Sequence, residues 1–130
     1  MLHWTGRGLL LLVVLIYFMV GSVLFLSPER VGIVDLQFIA AETSTAIRTW
    51  GGFFFAAGFI GGTGVIMRRW SLPSAVAISI VSGCIVTARL SGIVVDGVDE
   101  RQLSELRDES MGLGIALGAL FCLWLASRRQ

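Results

Sequence analysis

Four long apolar stretches alternate with short polar segments along this chain of 130 residues. The stretches cover residues 9–26, 49–67, 72–95 and 109–126. Each approaches the ~20 residues that an α-helix needs to cross a hydrocarbon core about 30 Å thick. The pattern therefore predicts an all-α integral membrane four-helix bundle that forms one transmembrane domain over residues 1–130.

Charged residues are divided unequally among the segments that flank these stretches. All nine carboxylates lie between Glu29 and Glu109, in or beside the first and third connections. The second connection and both terminal segments carry arginine and no carboxylate. Because arginine is enriched in short loops on the cytoplasmic side of a membrane, we expect both termini to be cytoplasmic. Trp4, Trp70 and Trp124 near that face are typical of an aromatic belt.

The two connections on the acidic side differ in their expected structure. Residues 31–41 are too apolar for a simple turn and predict a short interfacial helix across the outer mouth of the bundle. A packed connector is favoured there over a lid. Residues 99–108 offer an aspartate cap and an Arg101/Glu105 pair at helical spacing, so we expect a helical extension of the fourth span.

Composition excludes several classes of function. With 55% hydrophobic and 15% charged residues, and arginines that flank the spans, the chain suits a lipid bilayer and no nucleic-acid partner. The absence of lysine excludes Schiff-base chemistry, as in retinal proteins. The single histidine, His3, excludes bis-histidine haem ligation within one chain. Cys84 and Cys122 lie inside apolar stretches and are interpreted as packing residues, so no metal or other cofactor is expected.

Glycine placement predicts which helices touch. Small residues recur at a spacing of four in three of the stretches, as Gly58 with Gly62, Ser79 with Gly83, and Gly114 with Gly118. Such pairs allow membrane helices to approach closely, so we expect the second, third and fourth helices in mutual contact and the first helix at the periphery. The alternative is that these glycines leave room for a lipid, quinone or pigment; packing is favoured.

Ionisable residues near the acidic end form the candidate site. Arg89 lies inside the third stretch and Asp96 two helical turns later, while Glu42, Arg48 and Glu109 lie close to the same end of their own stretches. Charges at membrane depth are costly, so we expect these five to face inward and to pair in one layer. An ion-pair lock is favoured over a ligand-binding or proton-carrying site.

The same residues carry a family resemblance. The run Ile-Arg-Thr-Trp-Gly-Gly at residues 47–52, the run Ala-Arg-Leu-Ser at residues 88–91, Asp96 with Gly97, and Glu109 at the start of the last helix form the pattern. Over residues 28–126 the chain resembles a bacterial family of small four-span membrane proteins known as domain of unknown function 4345, although that family has tyrosine at the position of Trp50. The resemblance implies a four-helix membrane fold and no settled activity.

Two classes of function remain open. The first is a small non-catalytic protein of the bacterial inner membrane: an accessory subunit or assembly factor of a larger membrane complex, a homo-oligomer, or a binder of a lipid-like molecule. The second is a membrane-embedded enzyme or a proton-coupled carrier that uses the outer layer of arginine and carboxylate. The sequence shows no nucleophile with an adjacent base, no metal cluster and no phosphate loop, so the non-catalytic class is favoured.

Overall fold

The structure, a computed structural model, describes residues 1–27 and 41–129, without the side chains of residues 41–44 and 96. It contains the helices α1 (Leu2–Leu26), α2 (Ala41–Ile66), α3 (Ser71–Asp96) and α4 (Glu100–Arg128), with one 3₁₀ turn, Arg68–Trp70, before α3. No strand occurs in these ranges. All four α-helices are long and apolar enough to cross a membrane. The predicted all-α, four-helix architecture is confirmed for the described part of the chain.

Local sequence explains where the helices end on the acidic side. The Asp99 carboxylate accepts a hydrogen bond from the backbone N–H of Gln102 at 2.6 Å, and the Gln102 side chain accepts one from the backbone of Asp99. This capping box starts α4 at Glu100. The predicted helical extension over residues 99–108 is therefore confirmed. Gly97 ends α3 with φ of 94°, in the left-handed region that favours glycine.

The four helices form a ring in chain order. α1 packs on α2 and α4, and α3 packs on the same two helices. Neighbours run antiparallel, so both described chain ends and the α2–α3 turn lie at one end, called here the basic end. The opposite end, called the acidic end, carries the α3–α4 connection. The predicted interfacial helix over residues 31–41 lies outside the described residues, except that Ala41 begins α2.

Helix α1 is central to the packing, so the prediction that it is peripheral is wrong. Its backbone touches that of α2 at the acidic end, where a Cβ added to Gly51 would lie 2.8 Å from the Phe25 amide nitrogen. Farther along, a Cβ on Gly61 would lie 2.5 Å from a Val14 methyl group. On the other side, a Cβ on Gly6 would lie 2.7 Å from Leu123 of α4. These close approaches have the character of membrane-helix contacts through small residues.

The predicted pairs of small residues do not bring α2, α3 and α4 together. A Cβ added to Gly62, Gly83 or Gly114 would meet nothing within 4 Å. Gly58 faces the Phe18 ring and Gly118 faces Leu9, both on α1. A spacing of four residues places two glycines on one helix face, but it does not determine whether that face points to a neighbour.

Ser79, the remaining member of these pairs, is buried in α3. Its hydroxyl has no hydrogen-bond partner among the described residues. The residue is thus inside the bundle, as a packing role requires, while its pair member Gly83 faces open space.

Candidate functional site

A cavity of about 360 Å³ lies between the helices toward the acidic end. All four helices contribute to its wall. It is lined by Ile16, Tyr17, Val20, Leu24, Phe54, Ser82, Ile85, Arg89, Glu105, Asp108, Glu109 and Gly112. The side contributed by α1 and α2 is apolar except for the Tyr17 hydroxyl, whereas α3 and α4 contribute every charged group. The cavity is therefore amphipathic across its width.

A network of ion pairs forms the charged side of the cavity. The Arg89 guanidinium donates from Nε to Glu109 Oε2 at 3.2 Å and from Nη2 to Glu109 Oε1 at 2.7 Å. Its Nη1 lies 2.6 Å from Glu105 Oε2, and Glu105 Oε1 in turn accepts from Arg101 Nε at 3.0 Å. Every nitrogen of Arg89 thus faces a carboxylate oxygen. Among the described side chains, two arginines and two glutamates form these contacts.

The network lies toward the acidic end of the bundle, far from the tryptophans of the basic end. By helical rise, Arg89 is about 29 Å from Trp70 at the basic end, and Glu109 is about 22 Å from Trp124. A hydrocarbon core is about 30 Å thick. The side chains of Arg89 and Glu109 retain 30% and 23% of their exposure. The pair therefore joins α3 to α4 far from the tryptophans of the basic end, at a distance comparable to the thickness of a hydrocarbon core.

A second polar contact lies deeper in the cavity. The hydroxyls of Tyr17 and Ser82 are 2.6 Å apart and link α1 to α3 across the bundle. Both residues are buried. The Tyr17 ring meets the Phe54 ring edge to face, with centroids 5.5 Å apart. The cavity floor consequently has a satisfied hydrogen bond surrounded by apolar groups.

The structure brings together two of the five residues predicted for the polar layer. Arg89 pairs with Glu109, one of the partners expected for it. Arg48 lies on α2, is exposed, and makes no ion pair with any described residue. The side chains of Glu42 and Asp96 lie outside the described part of the structure. The layer seen here therefore consists of Arg89 and Glu109 together with Glu105.

Sequence reasoning missed four polar residues of the cavity: Tyr17, Ser82, Glu105 and Asp108. A signal for two of them was present in the spacing. On α3, spacings of three and then four residues separate Ser82, Ile85 and Arg89. On α4, spacings of four and then three residues separate Glu105, Glu109 and Gly112. Residues at this spacing share one helix face. Once Arg89 and Glu109 are placed inward, the same face must carry Ser82 and Glu105.

Comparisons of the chain with known protein families, curated proteins and solved structures found no match. Among the described residues, no three histidine, cysteine or acidic side chains are grouped as a metal site. Cys84 is exposed on α3, and Cys122 is half-buried on α4. The site consists of an apolar wall that faces a wall of hydrogen-bonded ion pairs.

Proposed function

We propose that this protein is a non-catalytic integral membrane protein that binds a lipid-like molecule in the cavity at its acidic end. The observation that carries the proposal is the amphipathic lining: apolar side chains of α1 and α2 face Arg89, Glu105 and Glu109. Small-molecule sites combine a largely apolar surface with a few placed polar groups, in volumes from about 300 Å³ upward. A cavity of about 360 Å³ falls within that range.

The ionic wall restricts the polar group of the bound molecule. All three nitrogens of Arg89 face carboxylate oxygens, and Glu105 and Glu109 neutralise its charge, so this wall has little attraction for an anion. Glu105 and Glu109 keep lone pairs that can accept further hydrogen bonds, since an ionised carboxylate has about four acceptor positions. The preferred molecule therefore has an apolar body and a hydrogen-bond-donating head, such as a hydroxyl or amine.

Placement in the cell belongs to the same proposal. The arginines of the basic end favour a cytoplasmic position for that end, and the family resemblance favours a bacterial inner membrane. Two other roles remain predictions. One is an accessory or assembly role in a larger complex, and the other is an enzyme or a proton-coupled carrier. No contact among the described residues favours either of them over binding.

The proposal is tested by filling the cavity without disturbing the packing. Gly112 lines the cavity, and a Cβ added to it meets nothing within 4 Å. Gly112→Leu should therefore occupy the space of the ligand at little cost in stability. The protein would be purified in mild detergent, and bound small molecules would be extracted and identified by mass spectrometry. We expect an amphipathic molecule with the parent protein and an occupancy at least about tenfold lower in the variant, which requires an affinity loss of at least about 1.4 kcal/mol.

Gly114→Leu provides the matched control. Gly114 lies on the same helix, also has open space around its added Cβ, and does not line the cavity. The control variant should retain the molecule at parental occupancy. Equal retention by Gly112→Leu and the parent, or a parent protein that carries no such molecule, would overturn the proposal.

A further inference from the structure

A second cavity of about 410 Å³ opens at the basic end of the bundle. We call it the basic cleft, and define it by His3, Trp4, Arg7, Arg68 and Arg129. It lies between the start of α1, the turn before α3, and the end of α4. It is thus at the opposite end of the molecule from the cavity of the proposed function.

No aspartate or glutamate in the neighbouring sequence balances the positive charge of the basic cleft. Residues 1–28, 43–95 and 110–130 contain no aspartate or glutamate. Arg68 and Arg129 are exposed, and their guanidinium groups form no hydrogen bond or ion pair with any described residue. Arginine forks match the geometry of phosphate oxygens. The cleft therefore presents unused guanidinium donors.

Arg7 is held in place within the same cleft. Its guanidinium donates to the carbonyl oxygen of Val65, at 3.0 Å from Nε, and to that of Ile66, both in the last turn of α2. It also lies over the Trp4 ring, with its Cζ 5.1 Å from the ring centroid. The carbonyls at a helix end need such donors, so this contact fixes one wall of the cleft.

Tryptophans near the basic cleft indicate that it lies at the level of the lipid head groups. Arg69 lies over Trp70 and Arg128 lies over Trp124, with Cζ atoms 5.9 and 4.0 Å from the ring centroids. Tryptophan is concentrated at membrane–water interfaces, and basic pockets between membrane helices bind anionic head groups. We propose that the basic cleft binds the phosphate of an anionic membrane lipid, with Arg68 and Arg129 as its main ligands.

The test compares lipid binding by the parent and by Arg68→Gln/Arg129→Gln. Both arginines are exposed, so the variant should fold; circular dichroism checks its helix content. Native mass spectrometry in detergent would measure binding of phosphatidylglycerol, phosphatidylcholine and inorganic phosphate. We expect the parent to bind phosphatidylglycerol more tightly than the other two, and the variant to bind it about tenfold more weakly, since charge-assisted hydrogen bonds are lost.

Arg48→Gln/Arg107→Gln is the matched control, because it removes the same charge from exposed positions toward the acidic end. It should bind phosphatidylglycerol as the parent does. The proposal is overturned if the control loses as much affinity as the test variant, or if the test variant loses none. It is equally overturned if phosphatidylcholine or inorganic phosphate binds the parent as tightly as phosphatidylglycerol. The test variant leaves every residue of the cavity at the acidic end unchanged, so the difference in binding between it and the parent reports on the basic cleft.

Discussion

Arg89 illustrates how a membrane protein accommodates a charge near its apolar interior. An unpaired guanidinium at that depth would be costly, but each nitrogen here faces a glutamate oxygen. The bidentate contact with Glu109 adds geometric restriction to the charge attraction. Its remaining exposure, 30% of the side chain, reduces both the desolvation cost and the strength of the attraction. The pair is consequently intermediate between a buried and a surface ion pair.

Replacing Arg89 should destabilise the bundle, and replacing its partner as well should restore part of the loss. Arg89→Met leaves Glu109 without its partner and should lower the free energy of unfolding by about 1–3 kcal/mol, below the full cost of breaking a buried pair because both residues are partly exposed. Arg89→Met/Glu109→Met should lose less, since Glu105 keeps Arg101. Denaturation in detergent measures both values.

The exposed pair of Arg107 and Asp108 supplies the comparison. Its side chains are 72% and 60% exposed, so Arg107→Met should change stability little. If Arg89→Met were as stable as Arg107→Met, the lock interpretation of the network would be wrong. If the double variant is stable but no longer retains the cavity ligand, the network also serves the site.

At the level of the helix, the apolar stretches could predict where each helix lies but not which faces of the helices pack together. The apolar stretches located all four helices, because a span of about 20 apolar residues admits few other structures. The polar start of α4 was predicted from the aspartate cap and the Arg101/Glu105 spacing, and the structure has a capping box there. The same apolar stretches led to the wrong prediction that α1 lies at the periphery of the bundle. Its leucine-rich sequence fits a lipid-facing helix, yet Gly6 and Gly21 let it approach α4 and α2 closely.

Which glycines matter depends on the face that each helix turns inward. Gly51→Leu should destabilise strongly, because the first added carbon would lie 2.8 Å from the Phe25 nitrogen and 3.0 Å from the Gly21 carbonyl oxygen. Backbone atoms cannot move aside without separating α1 from α2. Overpacking of this kind typically costs about 1–3 kcal/mol or more. The thermal unfolding midpoint in detergent is the measurement.

Gly62→Leu is the control on the same helix. A Cβ added to Gly62 meets nothing within 4 Å, and leucine is well suited to a lipid-facing position. Its midpoint should stay close to that of the parent. Equal losses at Gly51 and Gly62 would show that the contacts of α2 differ from those described here.

Across the whole molecule, charge is separated along the bundle axis. The basic end carries arginines beside tryptophan rings, and the acidic end carries the described carboxylates. Sequence alone could predict this separation, because antiparallel helices place alternate connections at opposite ends. It could not predict the cavity at the acidic end or the basic cleft, since each is formed by side chains from helices far apart in the chain. The two proposals follow this separation: a hydrogen-bond-donating ligand is proposed for the acidic end and an anionic one for the basic end.

The same separation predicts the orientation in the membrane. Arginine near span ends retains its loop in the cytoplasm, so both the turn at Arg68 and Arg69 and the chain end beyond Arg129 should lie there. Alkaline phosphatase fused after Arg69 or Gln130 should be inactive, whereas phosphatase inserted after Gly97, outside any helix, should be active. Arg68→Gln/Arg69→Gln removes two arginines from this side and should raise the activity of the fusion at Gln130, because part of the protein would insert the other way. High activity of that fusion in the parent protein would reverse the proposed orientation.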